Sequence, residues 1–299
     1  MKKLFILIAL LIISALILTA CGGGNAGGSG GGNAGFDTSR NITVLAREDG
    51  SGTKSAFMDI IGLRGQPDPA NAIIQASTAA VNTEVKGNAG AIAYESLGFV
   101  TPDVKILKVD GVEATVANIN DGSYKIARPL AVVYQNSTLD NNVNRAFFNF
   151  MQSSAALNII NENGFVPVAS DTQEYTIDGS LSGSIDISGS TSVQPLMIEL
   201  AAAFENLQPN VRINVSGGGS CTGYNNAEEG VSDFGMISEE FNQERAQSCV
   251  FMNIAKDGIA VIVHSQNPLD NITMEQLGRI FDGEAGENAI TVWSELITE

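Results

Sequence analysis

Three times along this 299-residue chain, a short apolar strand runs into a turn of Gly, Ser and Thr that opens a helix. The first is Val44-Leu-Ala-Arg47-Glu-Asp49-Gly-Ser51-Gly52-Thr53, with a helix from Lys54. The second is Ile185-Asp-Ile-Ser-Gly189-Ser190-Thr191-Ser192, with a helix near Pro195, a residue welcome in a first helical turn. The third is Ile213-Asn-Val-Ser-Gly217-Gly-Gly219-Ser220-Cys-Thr222-Gly223, with a helix from Tyr224. Strands that alternate with helices in this way commit the chain to an α/β architecture.

The remaining pattern agrees. Further strands read at Ile42–Ala46, Gly90–Tyr94, Pro129–Tyr134, Ser184–Ser188, Val211–Val215 and Gly258–Val263. Helices read at Ser55–Ile61, Leu196–Leu207 and Thr273–Phe281, the last opened by a Thr cap. A longer helix reads from Val143 to Ile160, with Val143, Ala146, Phe147, Phe150, Met151 and Leu157 on one face. Ser170–Gly183 is polar and rich in Gly and Ser, and taken alone it reads as a linker.

The first 35 residues read differently. A basic Met1-Lys2-Lys3 start precedes an apolar run from Leu4 to Ala20 and the ending Leu18-Thr-Ala-Cys21. That is a secretory signal peptide over residues 1–20. Its ending resembles a bacterial lipobox, which implies lipidation of Cys21 as the mature N-terminus, with a palmitate-type acyl chain. Residues 21–41 then form a lipid-anchored, Gly-rich tether, flexible by composition. The expected location is extracytoplasmic, on the bacterial cell membrane, with the membrane touched only through the lipid. An exporting compartment permits a disulfide between Cys221 and Cys249; two buried thiols are the alternative.

Composition removes several function classes. A net charge of −17 argues against nucleic acid as a partner. One His and three Cys leave no Cys/His metal site, and no cofactor is expected. A Ser-His-Asp enzyme would have to use His264, the only imidazole.

The turns point to an oxyanion. A helix N-terminus leaves backbone N–H groups without intrahelical partners and carries the positive end of the helix dipole. Glycines let that backbone approach a ligand, and Ser and Thr hydroxyls add neutral donors. Arg47 supplies a forked cation. Gly50-Ser-Gly-Thr-Lys54-Ser lacks the adjacent Gly-Lys of a nucleotide P-loop.

Arg47-Glu-Asp-Gly-Ser-Gly-Thr53, Gly189-Ser-Thr-Ser-Val-Gln-Pro195 and Ser216-Gly-Gly-Gly-Ser220 resemble the phosphate-binding subunit of the bacterial high-affinity phosphate ABC transporter. Gly90–Tyr94, Asn163–Pro167, Asp233–Met236 and Asp257–Ala260 extend the likeness across most of Ile42–Glu299. The resemblance implies a two-lobed, type II periplasmic-binding-protein-like fold with a two-strand hinge. In the family the Gly-Ser-Thr-Ser turn comes first, so the order here reads as a circular permutation, with the family's termini joined through Ser170–Gly183. One lobe would be contiguous, 128–263. The other would combine 42–127 with 264–299, and the hinge would lie near Ile126–Leu130 and Val263–Gln266. On this reading His264 is a hinge residue.

By the same resemblance, Ser190, Thr191, Ser192 and Ser220 would donate to phosphate from one lobe. Arg47, Ser51, Gly52 and Thr53 would close from the other, with Asp49 pairing with Arg47. Ser238 stands where some family members place a carboxylate that accepts the proton of bound phosphate; Asp49 and Glu239 are the substitutes available. The implied protein is a monomeric binding lipoprotein, not an enzyme, that passes inorganic phosphate to ABC permease subunits. The alternatives are binding of another tetrahedral oxyanion, such as sulfate or molybdate, and a secreted phosphate-ester hydrolase.

Overall fold

The computed structural model describes residues 35–168 and 173–297. The expected signal peptide, Cys21 and the expected tether up to residue 34 lie outside the described residues. Among those described, no helix is long and apolar enough to cross a membrane.

Strands and helices alternate as expected. The first stretch contains β1 (Thr43–Arg47), α1 (Gly52–Ile60), β2 (Ile73–Gln75), α2 (Thr78–Gly87), β3 (Ala91–Ser96), β4 (Val104–Ile106), β5 (Lys108–Val109) and α3 (Val116–Asn120). Then come β6 (Ala127–Gln135), α4 (Asn142–Met151), α5 (Ser154–Glu162) and β7 (Val166–Pro167). The elements around the second and third glycine turns follow: β8 (Gly183–Gly189), α6 (Gln194–Leu207), β9 (Val211–Gly217), α7 (Gly219–Glu228) and β10 (Phe234–Ile237). The chain ends through β11 (Cys249–His264), β12 (Asn271–Ile272) and α8 (Met274–Phe281).

The sheet runs β2-β1-β3-β11-β6-β10-β8-β9, with β4 and β7 also on β11. The sixteen-residue β11 joins two lobes because it changes partner along its length. Residues 249–258 pair with β6, and 259–263 pair with β3. Each lobe has its own apolar core. The first gathers Phe57, Tyr94, Phe281 and Trp293 beneath β1 and β3. The second gathers Phe147, Phe150, Phe204 and Phe234 beneath β8 and β10. A smaller cluster of Tyr224, Ala227 and Ile237 seats α7 on the opposite face of the second lobe's sheet.

This geometry shifts the expected boundary. Ile259–Val263 pack in the first core, so the crossover on β11 falls at Gly258–Ile259, ahead of Val263–Gln266. His264 pairs with Val104 inside the first lobe and is not a hinge residue. The other crossover agrees with the reading: the Ile259 N–H donates to Ile126 O at 2.7 Å. The long helix expected over 143–160 is two helices. Ser153 interrupts it, and its Oγ accepts from the Ala156 N–H to cap α5. Such side-chain competition with the backbone favours a new N-terminus over a helix interior. In the junction, Tyr175 and Leu181 pack into the second core, so its described part is bound to that lobe rather than spanning free. The predicted disulfide is absent: Cys221 and Cys249 are both free thiols.

The described chain closes on itself. Asn41 and Val292 form an antiparallel bridge, the Ile42 N–H donates to Thr291 O at 2.8 Å, and Trp293 Nε1 donates to Gly90 O at 3.1 Å. Ile42 and Trp293 therefore share one lobe, as a permuted order requires.

Candidate anion-binding site

Each glycine turn ends a strand at the carboxyl edge of its sheet, the edge where open α/β sheets gather ligands. β1 delivers Arg47 and the N-terminus of α1; β8 delivers Ser190–Ser192; β9 leads to Ser220 in the first turn of α7. β10, which lies beside β8, ends just before Ser238. Glycine is required where α7 crosses this edge. A Cβ on Gly235 would lie 2.0 Å from Gly223 O, and one on Gly189 would lie 2.3 Å from Met236 O. That contact sets Ser220 against Ser238: the Ser238 N–H donates to Ser220 Oγ at 3.1 Å, and Ser190 Oγ donates to Ser238 Oγ at 2.8 Å.

The two lobes meet here. Thr53 Oγ1 lies 2.9 Å from Ser192 Oγ. Arg47 Nη2 donates to Thr191 Oγ1 at 3.1 Å. Gly52 packs so closely on the second lobe that a Cβ there would lie 2.2 Å from Ser220 Oγ. Arg47, Gly52, Thr53, Ser190, Thr191, Ser192, Ser220 and Ser238 thus converge on one point between the lobes, and all but the half-buried Thr191 are buried. The result is a guanidinium and a set of hydroxyls next to two helix N-termini, a donor-rich cage suited to a small anion.

Two expected roles change, those of Asp49 and Glu239. Arg47 is held by Glu48, not Asp49: Nε donates to Glu48 Oε2 at 2.9 Å and Nη2 to Oε1 at 2.8 Å. Asp49 points to solvent and pairs with Lys54 at 2.7 Å; that hydrogen bond holds its carboxyl below the usual range. Glu239 is occupied by Arg245 at 2.7 Å. Ser51 caps α1, its Oγ accepting from the Lys54 N–H at 3.3 Å. The Ser192 N–H donates to Ser190 Oγ at 3.3 Å.

The sequence reading missed Thr78. Its Oγ1 accepts from Arg47 Nη1 at 3.4 Å and lies 3.1 Å from Ser192 Oγ. The signal was present: Ile73-Ile-Gln-Ala-Ser77-Thr78 is a fourth strand–turn–helix unit, with Ser77 as the cap of α2. It lacked the glycine that marked the other three.

Beneath the hydroxyls lies a buried ion pair. Arg128 on β6 meets Asp257 on β11 at 3.0 Å, and Arg128 Nη1 donates to Ser238 O, also at 3.0 Å. Both side chains are shut from water, so neither charge tolerates losing the other. Asp257→Asn is expected to destabilise the protein by about 3 kcal/mol. Denaturant unfolding would show this as a lower midpoint with unchanged slope.

The PBP superfamily domain model matches residues 33–155 and 175–298. Phosphate-binding protein PstS 2 of Streptococcus pneumoniae is 34% identical over 98% of this chain and 99% of its own length. The chain belongs to the PstS family. The PstS 2 of Streptococcus agalactiae is 32% identical over 85% of this chain and 87% of its own. The crystal structure of a phosphate ABC transporter phosphate-binding protein from S. pneumoniae TIGR4 superimposes with a TM-score of 0.69 at 35% identity. It covers 86% of this chain and 100% of that one. The S. pneumoniae PstS alignment runs nearly end to end, so the element order read above as a permutation is shared by both proteins. The family model breaks at 156–174, a stretch that takes in β7 and the start of the segment joining it to β8.

Proposed function

We propose that this protein captures inorganic phosphate between its lobes and delivers it to an ABC permease from the outer side of the membrane. It acts there as a binding module held by a lipid on Cys21, without covalent chemistry. The observation that carries the reading is the convergence of Arg47, seven Ser/Thr hydroxyls and two helix N-termini across the interlobe seam. Membership of the PstS family and the phosphate-binding names of its relatives support the choice of anion. The energetics suffice. Each hydrogen bond to a charged group contributes roughly 1.5–3 kcal/mol, and a micromolar Kd needs about 8 kcal/mol. His264 stands apart from the site, its Nδ1 accepting from the Gln266 N–H at 3.1 Å.

The test is isothermal titration of phosphate, with excess sulfate as competitor. One phosphate per chain is expected, undisturbed by sulfate. Displacement by sulfate would remove phosphate selectivity; absence of any binding heat would remove the function.

A further inference from the structure

Among the described residues, Glu95 is the one wholly buried carboxyl outside an ion pair. Its Oε1 accepts from the Ser96 N–H at 2.7 Å, while Oε2 has no hydrogen-bond partner. It occupies the penultimate position of β3, beside β1, whose last residue is Arg47. Its register partner on β11 is Ala260, two residues past the point where that strand leaves β6 for β3. Glu95 therefore sits at the interlobe crossover, on the edge of the first sheet that carries the site.

Three charged groups act on it from the neighbouring strands: Arg47 from β1, Arg128 from β6 and Asp257 from β11. The two guanidinium groups favour the ionised form, and Asp257 opposes it. Each guanidinium is already engaged by another carboxylate: Arg47 by Glu48, Arg128 by Asp257. Removal from water outweighs them all and drives the Glu95 pKa up to about 8. A phosphate anion held by Arg47 and Ser238 would add a further like charge on this side of the seam.

We propose that closure of the lobes on the anion is coupled to uptake of a proton from solvent onto Glu95 Oε2. The inference rests on the phosphate reading above. With the lobes apart, water reaches the strand edge and Glu95 is ionised. With the lobes together the carboxyl is dry and faces bound anion, and the neutral form is the stable one. No bond breaks; one proton moves from bulk water to the carboxyl oxygen that lacks a partner. The sign follows from linkage: the closed state binds more protons than the open one, so affinity falls as pH rises through the window between the ordinary Glu value and about 8. Such a protein would load most readily in mildly acidic surroundings and release more readily in alkaline ones.

The experiment is titration of the full-length chain, in detergent, with inorganic phosphate near pH 7 in buffers of different ionisation enthalpy. The proton count per bound phosphate is read for the parent and for Glu95→Gln. Because phosphate titrates in this range, the difference between the two proteins is the informative quantity. About one more proton should be taken up by the parent than by the variant, and the variant's affinity should lose the corresponding pH slope. Equal proton counts in two proteins that both bind phosphate would overturn the coupling. No binding heat in either would overturn the phosphate reading, and the coupling with it. Should Glu95→Gln not fold, infrared difference spectra of the parent labelled with ¹³C-glutamate decide the matter. A protonated glutamic acid C=O band must appear on phosphate addition, and its absence ends the proposal.

Discussion

Replacing Arg47 with alanine is expected to weaken phosphate binding about a thousandfold, or about 4 kcal/mol, the loss of two charge-assisted hydrogen bonds. Arg47 is only 1% exposed and is the guanidinium that meets the hydroxyl cluster from the first lobe. Its Nη atoms reach Thr78 and Thr191, neutral oxygens on opposite sides of the seam, so part of its charge remains available to an anion. The fold should survive the change. The carboxylate left behind is Glu48, whose side chain is 27% exposed and can be rehydrated. Titration with phosphate gives the affinity, and a thermal melt without phosphate separates lost binding from lost structure. Arg47→Lys should recover only part of the loss, because an ammonium keeps the charge but not the fork. Affinity unchanged in Arg47→Ala would take this residue out of the site.

Gly52→Ala is expected to have a large effect by a different route, about a hundredfold in affinity. Gly52 opens α1, and its φ is not positive, so alanine suits the first lobe on its own. The obstacle is across the seam. The new Cβ would stand 2.2 Å from Ser220 Oγ, 2.9 Å from Ser238 Oγ and 3.0 Å from Ser220 Cβ. Ser220 could swing its hydroxyl aside only by giving up the Ser238 N–H and its place in the cluster. The lobes must instead stand about an ångström apart, too far for hydrogen bonds from both sides to reach one small anion. The melting temperature without phosphate should stay close to that of the parent, while phosphate should no longer raise it. Substitutions at Gly223 or Gly235 would behave in the opposite way. There the clash is with backbone inside one lobe, so stability falls first.

Much of this was legible in the sequence because the same local signal does two jobs. Gly-Ser-Thr turns between a strand and a helix specify α/β layering, and they also place donors at the sheet's carboxyl edge. Arg47, Thr53, Ser190–Ser192 and Ser220 could be named for that reason; Ser238 was named only through the family resemblance. Thr78 was hidden because its turn uses Ala and Ser where the others use Gly. The sequence reading pairs Arg47 with Asp49 in place of the adjacent Glu48, because only the path of the turn decides which carboxylate folds back onto the guanidinium. The break at Ser153 was masked by a hydrophobic period that continues in phase through two helices. The crossover on β11 was misplaced because its apolar run, Gly258–Val263, is as buried as any single-lobe strand. Partner exchange leaves no mark on composition. Glu95 gave no sign at all: one acidic residue in a strand acquires meaning only when the fold around it excludes water.

The mixed parentage of the first lobe ties its stability to both ends of the described chain. The second lobe draws its buried core from one unbroken stretch that ends before Gly258. The first does not: Ile259–Val263 fill its central strand, and Phe281 and Trp293 plug its core. Residues from the start of the described chain therefore complete their core only with residues from its end. A truncation near the trailing end would therefore unseat β1 and the Arg47 it carries without touching that residue.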